Sequence, residues 1–256
     1  MRTRASRTGL VAVLAATLAT LGACSDGTAA GPRPLTQAEA ERLGVVRFRN
    51  YDAGVRSIDV AVPASSDGPA VRLTGWADLA THSGYALAAE GPASIATVPG
   101  MVAWAADGVT RLGVHGAPTD AAPGDAPPLP VPGEDWQVAP VTDDGRGVVE
   151  AVRVLQQLGA DRPENASLLM QSDAAWLRSD TVAGTSVDVF VGPRPTTSGG
   201  AASSLPVEQR MQYWLDATGL ALRIDLPSGT TVLFADGGAS SLEDVPAALA
   251  VPGTGS

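Results

Sequence analysis

Lysine is absent from this chain. All 17 basic residues are arginine, set against 27 acidic ones, for a formal net charge of −10. A chain this acidic, without a basic cluster, lacks the cationic surface that neutralises phosphate. That excludes nucleic-acid binding and docking on anionic lipid by charge alone. Cysteine occurs once and histidine twice, so no disulfide can form within the chain. Neither His82 nor His115 has a second ligand at metal-binding spacing. There is no Gly-x-Ser-x-Gly elbow and no glycine-rich phosphate loop after a strand. Asp143-Asp144-Gly145 lacks the other ligands of a calcium loop and is expected to cap a helix beginning near Arg146. The chain is therefore read as a non-enzyme with no catalytic residue, cofactor or metal. Carboxylate pairs of the glycosidase kind are defined only by three-dimensional placement, so that one hydrolytic alternative stays open. Aromatics make up 4 % of the chain, but five of them are tryptophan.

What is present begins with the first 24 residues, MRTRASRTGLVAVLAATLATLGAC. Arg2, Arg4 and Arg7 form a positive head, and Leu10 to Leu21 an apolar run too short to span a bilayer. Leu21-Gly22-Ala23-Cys24 closes it with small residues before the lone cysteine. Residues 1–23 are expected to be a signal peptide, whose removal takes the net charge to −13. Residues 24–34 are expected to be a modified cysteine and a flexible tether. The motif resembles the lipobox of bacterial lipoproteins. That resemblance implies a diacylglyceryl (palmitate-type) anchor on Cys24, which holds the chain on the extracytoplasmic face of the cell membrane. Arginine-only basicity with much Ala, Gly and Pro fits a high-GC bacterial genome.

The mature chain opens on a capping box, Thr36 with Glu39, and a single helix is predicted from there towards Tyr51, ended by Gly54. From residue 55 to 115, five or six short strands are predicted, among them Val71-Leu73-Gly75-Ala77 alternating with Arg72-Thr74-Trp76-Asp78. Asp107-Gly108 marks a hairpin. Residues 116–133 form a Pro-rich loop. Arg146 to Leu158 carries a clear apolar stripe and reads as a helix, ended by Gly159. A short helical turn is expected over 163–171. A hairpin follows, with Ala183-Gly184 between Ala175–Val182 and Thr185–Val191, then a second loop over 193–206. The last meander, Val207 to Ala235, alternates Met211, Tyr213 and Leu215 against Gln212, Trp214 and Asp216. It then turns at Asp216-Ala217-Thr218-Gly219 into Leu220, Leu222, Ile224 and Leu226.

The lipobox, the Thr181–Val187 hairpin and the segment Tyr213-Trp214-Leu215-Asp216-Ala217-Thr218-Gly219-Leu220 together resemble the LolA/LolB-like fold and the mycobacterial LppX/LprA/LprF/LprG lipoproteins. The resemblance implies an α+β domain over residues 35–252. It would be a large curved antiparallel half-barrel of about 10–11 strands, with two or three helices on the concave face. It also implies a lipid, glycolipid or acyl-chain ligand held between sheet and helices. Candidate lining residues lie on the apolar faces: Leu73, Tyr85, Leu87, Met101, Val189, Met211, Tyr213, Leu215, Leu222 and Ile224. Plain core packing explains each of them equally well. Trp76 and Trp214 are expected half-exposed on the more polar face. The alternative is an envelope interaction or sensor module with a filled core, which meets a protein partner through its Pro-rich loops.

Overall fold

The computed structural model describes residues 31–66, 68–90, 97–105, 108–112, 136–139, 147–194 and 205–236. Cys24, His115, Asp143-Asp144-Gly145, the loop 116–133 and the segment after residue 236 lie outside them. The first element is a two-residue edge strand, β1 (Arg33–Pro34), made of residues that the sequence assigns to the tether. Proline has no N–H to offer a ladder, and an edge tolerates it. Thr36 caps α1 (Gln37–Gly44) with both bonds of the capping box in place.

The predicted single helix breaks at Val45, and α2 (Val46–Ala53) follows. The reason lies in Gly44, whose carbonyl accepts a 2.7 Å bond from the Glu164 N–H instead of continuing the helical ladder. A Cβ at Gly44 would sit 3.0 Å from the Glu164 carbonyl oxygen. Gly54 ends α2, as expected.

The remaining strands are β2 (Val55–Val62), β3 (Val71–Asp78), β4 (Ser83–Glu90), β5 (Thr97–Ala105), β6 (Gly108–Leu112), β7 (Trp136–Ala139), β8 (Ala175–Val182), β9 (Thr185–Val191), β10 (Gln212–Leu215), β11 (Ala221–Asp225) and β12 (Thr231–Asp236). Between β7 and β8 lie α3 (Val148–Gln157) and α4 (Ala166–Gln171). All pairings are antiparallel, in the order β1-β8-β9-β10-β11-β12-β2-β3-β4-β5-β6-β7. Two consecutive meanders are thus joined where β12 pairs with β2, and β1 and β7 are the edges. The α+β class with one large, open, curved antiparallel sheet is the class the sequence implied. Its 12 strands exceed the expected count because β1 and the four-residue β7 carry no alternation long enough to see.

One face of the sheet is covered by the helices. Ile58, Val60, Leu73, Ala86, Trp104, Phe190, Leu215, Ile224 and Val232 pack there with Ala40, Leu43, Val46, Val152, Leu155 and Leu169. Arg56 is buried on this same face beneath α2, with its guanidinium bonded to the Asn50 side chain and the Ala221 carbonyl. A second cluster lies on the opposite face of β8–β11: Leu177, Val187, Val189, Val191 and Trp214. Trp214 corrects the half-exposed expectation. It is 2 % exposed, its indole N–H donates to Asp180, and Arg223 lies over its ring at 4.5 Å.

Two glycines sit where β3, β4 and β5 leave no room for a side chain. A Cβ at Gly75 would lie 2.1 Å from the Tyr85 carbonyl oxygen, and one at Gly84 would lie 2.2 Å from the Trp104 ring. No side chain fits at either position, and Gly84 leaves the space in which Trp104 is seated in the core. The helix predicted from Arg146 starts later than expected. Its N-cap is Gly147, at φ 61°, and no side-chain hydrogen bond caps it; Asp143 and Asp144, expected as the cap, lie outside the described residues.

Candidate ligand cavity

The break between α1 and α2 opens a space beside the start of the second meander. Leu43 and Val46 flank the break. Val154 and Leu158, one turn apart on α3, face the same space, and Leu169 enters it from α4. Across from them, Gly192 and Pro193 leave β9, while Met211 precedes β10 and Tyr213 lies within it. Together these residues bound a cavity of about 500 Å³, completed by Arg47, Gln157 and Glu164. Apolar walls with a few convergent polar groups are the usual make-up of a small-molecule site, whose volume is typically about 300–1,000 Å³.

The polar side of the cavity is tied down. Arg47 donates to the Gln157 carbonyl at 2.8 Å and to the Gly159 carbonyl at 3.4 Å, and its guanidinium lies 3.6 Å from Glu164. The Arg47 carbonyl accepts from the Ala160 N–H. One side chain thus joins α2, the end of α3 and the loop before α4, and its charge is balanced within the wall. Burial pushes the Tyr213 hydroxyl up to about 12; nearby Glu164 adds to the rise and Arg47 opposes it. Tyr213 therefore stays neutral at any physiological pH and retains a proton to donate.

The rim where β8, β9 and β10 meet is held by charge. Arg210, 6 % exposed, donates to the Asp173 carboxylate at 3.1 Å, the Asp173 carbonyl at 2.9 Å and the Gly192 carbonyl at 3.3 Å. Arg194 pairs with the same carboxylate at 2.6 Å. Burial raises the Asp173 carboxyl, but the Arg194 N–H and the two guanidinium groups outweigh it, and its pKa falls below the ordinary value. A group depressed in this way stabilises the fold at neutral pH and loses that contribution as pH falls below the unfolded value, about 3.9. Arg210→Met is expected to cost about 2 kcal/mol at pH 7; the part made with the Asp173 carboxylate shrinks as pH falls below about 3.9, while the part made with the two backbone carbonyls stays. Thermal denaturation of both chains at pH 7 and at pH 3 checks it.

Nine of the ten candidate residues named from the sequence divide into four groups. Met211 and Tyr213 line the cavity. Leu73, Leu215 and Ile224 are fully buried in the helix-side core and do not reach it. Tyr85 and Leu87 stand on the other face, opposite Trp76 and Thr74; the Tyr85 ring lies 5.8 Å from Trp76, and burial raises its hydroxyl to about 12. Val189 and Leu222 belong to the second cluster. The expected single face Leu220-Leu222-Ile224-Leu226 is corrected by a register shift opposite Trp214/Leu215, which puts Ala221 and Ile224 on the helix side and Leu222 behind. The backbone of Met101 pairs with Leu87 and Leu112; its side chain, like Cys24, lies outside the described residues.

Sequence reasoning missed the helix half of the wall. The α3 stripe was visible, but nothing in it distinguishes a cavity wall from a core. Among the described residues, no group of three His, Cys, Asp or Glu side chains is placed to hold a metal. No helix among them is long and apolar enough to cross a membrane.

No protein-family model matches the chain, and no curated protein matches it. Among solved structures, it is similar to the crystal structure of the Mycobacterium tuberculosis lipoprotein LppX. The identity is 14 % and the TM-score 0.39, over 76 % of this chain and 94 % of that one.

Proposed function

We propose that the chain is an exported lipoprotein, anchored through Cys24, that binds the apolar part of an amphiphile in the cavity between its helices and β9–β10. The observation that carries this reading is the cavity itself. It is a half-open space of about 500 Å³ walled mainly by apolar side chains, the usual make-up of a small-molecule site. Burying an acyl chain in it contributes roughly 25 cal/mol per Å² of apolar surface. Met211 and Tyr213 are the ligand-contacting residues on the sheet side, and Leu43, Val46, Val154, Leu158 and Leu169 on the helix side. Arg47 is already balanced by Glu164, so the polar side suits a hydroxyl- or carbonyl-bearing head such as a glycolipid or acylglycerol.

The test is native mass spectrometry of the full chain purified from membranes, with organic extraction of whatever it retains. A stoichiometric lipid adduct that persists after exchange into a delipidating detergent is the expected result. A bare protein mass, unchanged by excess glycolipid or acylglycerol, would overturn the reading. The same spectrum reports on Cys24: a diacylglyceryl mass on the mature N-terminus is expected.

A further inference from the structure

The cavity wall, the entry of the chain into the fold and the exposed apolar side chains meet at one end of the sheet. Pro34 pairs with Ala175, Ala175 pairs with Val191, and Val191 pairs with Gln212. Gly192, Pro193 and Met211 of the cavity rim are the immediate neighbours of these residues. Helix α4 ends four residues before Ala175. Its Leu169 is buried in the cavity wall, while Leu168 and Met170 on either side are 63 % and 47 % exposed. Leu205, 38 % exposed, precedes the 3-10 turn Val207–Gln209, and Arg210 ties that turn to Asp173 just after α4. Three of the four exposed large apolar side chains among the described residues therefore belong to segments that meet at this end. Exposed large apolar side chains gathered at one end of a molecule mark a contact surface; Leu168 and Met170 flank the buried Leu169 on the two sides of α4.

We infer that this end is the membrane-facing foot of the domain. Leu168 and Met170 of α4 enter the bilayer interface, and the cavity exchanges its ligand there directly with lipid. The inference rests on the anchor at Cys24 proposed above. From Cys24 to Arg33 the chain spans nine residues, which reach at most about 30 Å fully extended. A lipidated cysteine therefore brings β1, and with it α4 and the rim, to the bilayer first. The occupant is a lipid surface and not a protein, because the tether delivers this end to lipid and no other partner is delivered with it. Contact is by apolar insertion, as in interfacial helices, which needs no basic patch in a chain of net charge −10. The opposite end of the same hairpin, at Ala183–Gly184, lies about 25 Å further along the strands and projects into water.

Lipidation consumes the lone cysteine, so a cysteine placed at Leu168 is the single reactive thiol. Full-length Leu168→Cys and Ser186→Cys chains, each carrying a nitroxide, are reconstituted on phosphatidylcholine/phosphatidylglycerol vesicles, and spin-label accessibility to oxygen and to a water-soluble nickel complex is compared. Both positions are solvent-exposed, and circular dichroism verifies each fold. The expected result is a Leu168 label shielded several-fold from nickel and a Ser186 label fully accessible. Equal aqueous exposure of both labels on vesicle-bound protein overturns the inference and leaves the patch to a protein partner. A chain whose mass shows no acyl group is tested as a Cys24→Ser variant: a shielded Leu168 label then supports the foot while removing the anchor, and a label in water or a chain off the vesicles overturns it. Ligand binding is measured separately, so failure of the foot leaves the cavity reading intact.

Discussion

Gly75→Ala is expected to lower the melting temperature by about 10 °C or to abolish folding. The added methyl would stand 2.1 Å from the Tyr85 carbonyl oxygen and 2.5 Å from the Ala86 Cα. Both are backbone atoms of the paired strand β4, so no side-chain rotation relieves the clash; β3 and β4 must separate. Separation breaks ladder bonds and disturbs the buried layer of Leu73, Ala77 and Trp104. Overpacking of a well-filled core typically costs about 1–3 kcal/mol, and a clash with fixed backbone belongs at or above the top of that range. For a domain of this size each kcal/mol lowers the melting temperature by about 2–4 °C. A scan of Gly75→Ala beside Gly68→Ala, where a Cβ meets nothing within 4 Å, isolates the effect. A melting temperature for Gly75→Ala equal to that of the control would show that the strands are further apart than described.

Met211→Trp is expected to reduce bound lipid at least tenfold while leaving the melting temperature unchanged or slightly higher. Met211 lies at the cavity rim and is only partly buried, so an indole there extends into empty space and not into packed neighbours. Filling a void commonly gains about 0.5–2 kcal/mol of stability, whereas a tenfold loss of affinity corresponds to about 1.4 kcal/mol. Met211→Leu keeps volume and polarity close to the original and should retain the ligand. Lipid extraction from the three chains, quantified per mole of protein, reads the outcome. Full lipid occupancy in Met211→Trp would place the ligand elsewhere. Leu215→Trp is not a substitute test: Leu215 is fully buried in the core, and its enlargement would unfold the chain and lose the ligand for the wrong reason.

Much of the scaffold is written locally. Thr36 and Glu39 announce the first helix. Ala183-Gly184 and Asp216-Ala217-Thr218-Gly219 announce the two tight turns: Ala183 and Gly184 take φ of 47° and 84°, and Gly219 takes 86°. The Asp216 carboxylate gathers the Thr218 and Leu220 N–H groups. Gly219 serves a second, non-local purpose that its turn does not reveal, because a Cβ there would lie 2.6 Å from Val45 and push away the very junction at which α1 and α2 separate.

The sequence by itself determined the antiparallel strands, the turns between them, the start of the first helix and the acidic, cysteine-poor character, because periodicity, turn chemistry and capping act over a few neighbouring residues. It named Met211 and Tyr213 together with seven described residues that lie outside the cavity, because an apolar stripe looks the same whether it faces a core, a cavity or the back of the sheet. Only the tertiary structure decided among these. The bond from Glu164 to the Gly44 carbonyl splits the first helix, the shift in β10–β11 register sends Leu222 to the far face, and Arg47 draws α2, α3 and the loop before α4 together. Each of these is a contact between residues far apart in the chain, and the cavity is the space they leave between them.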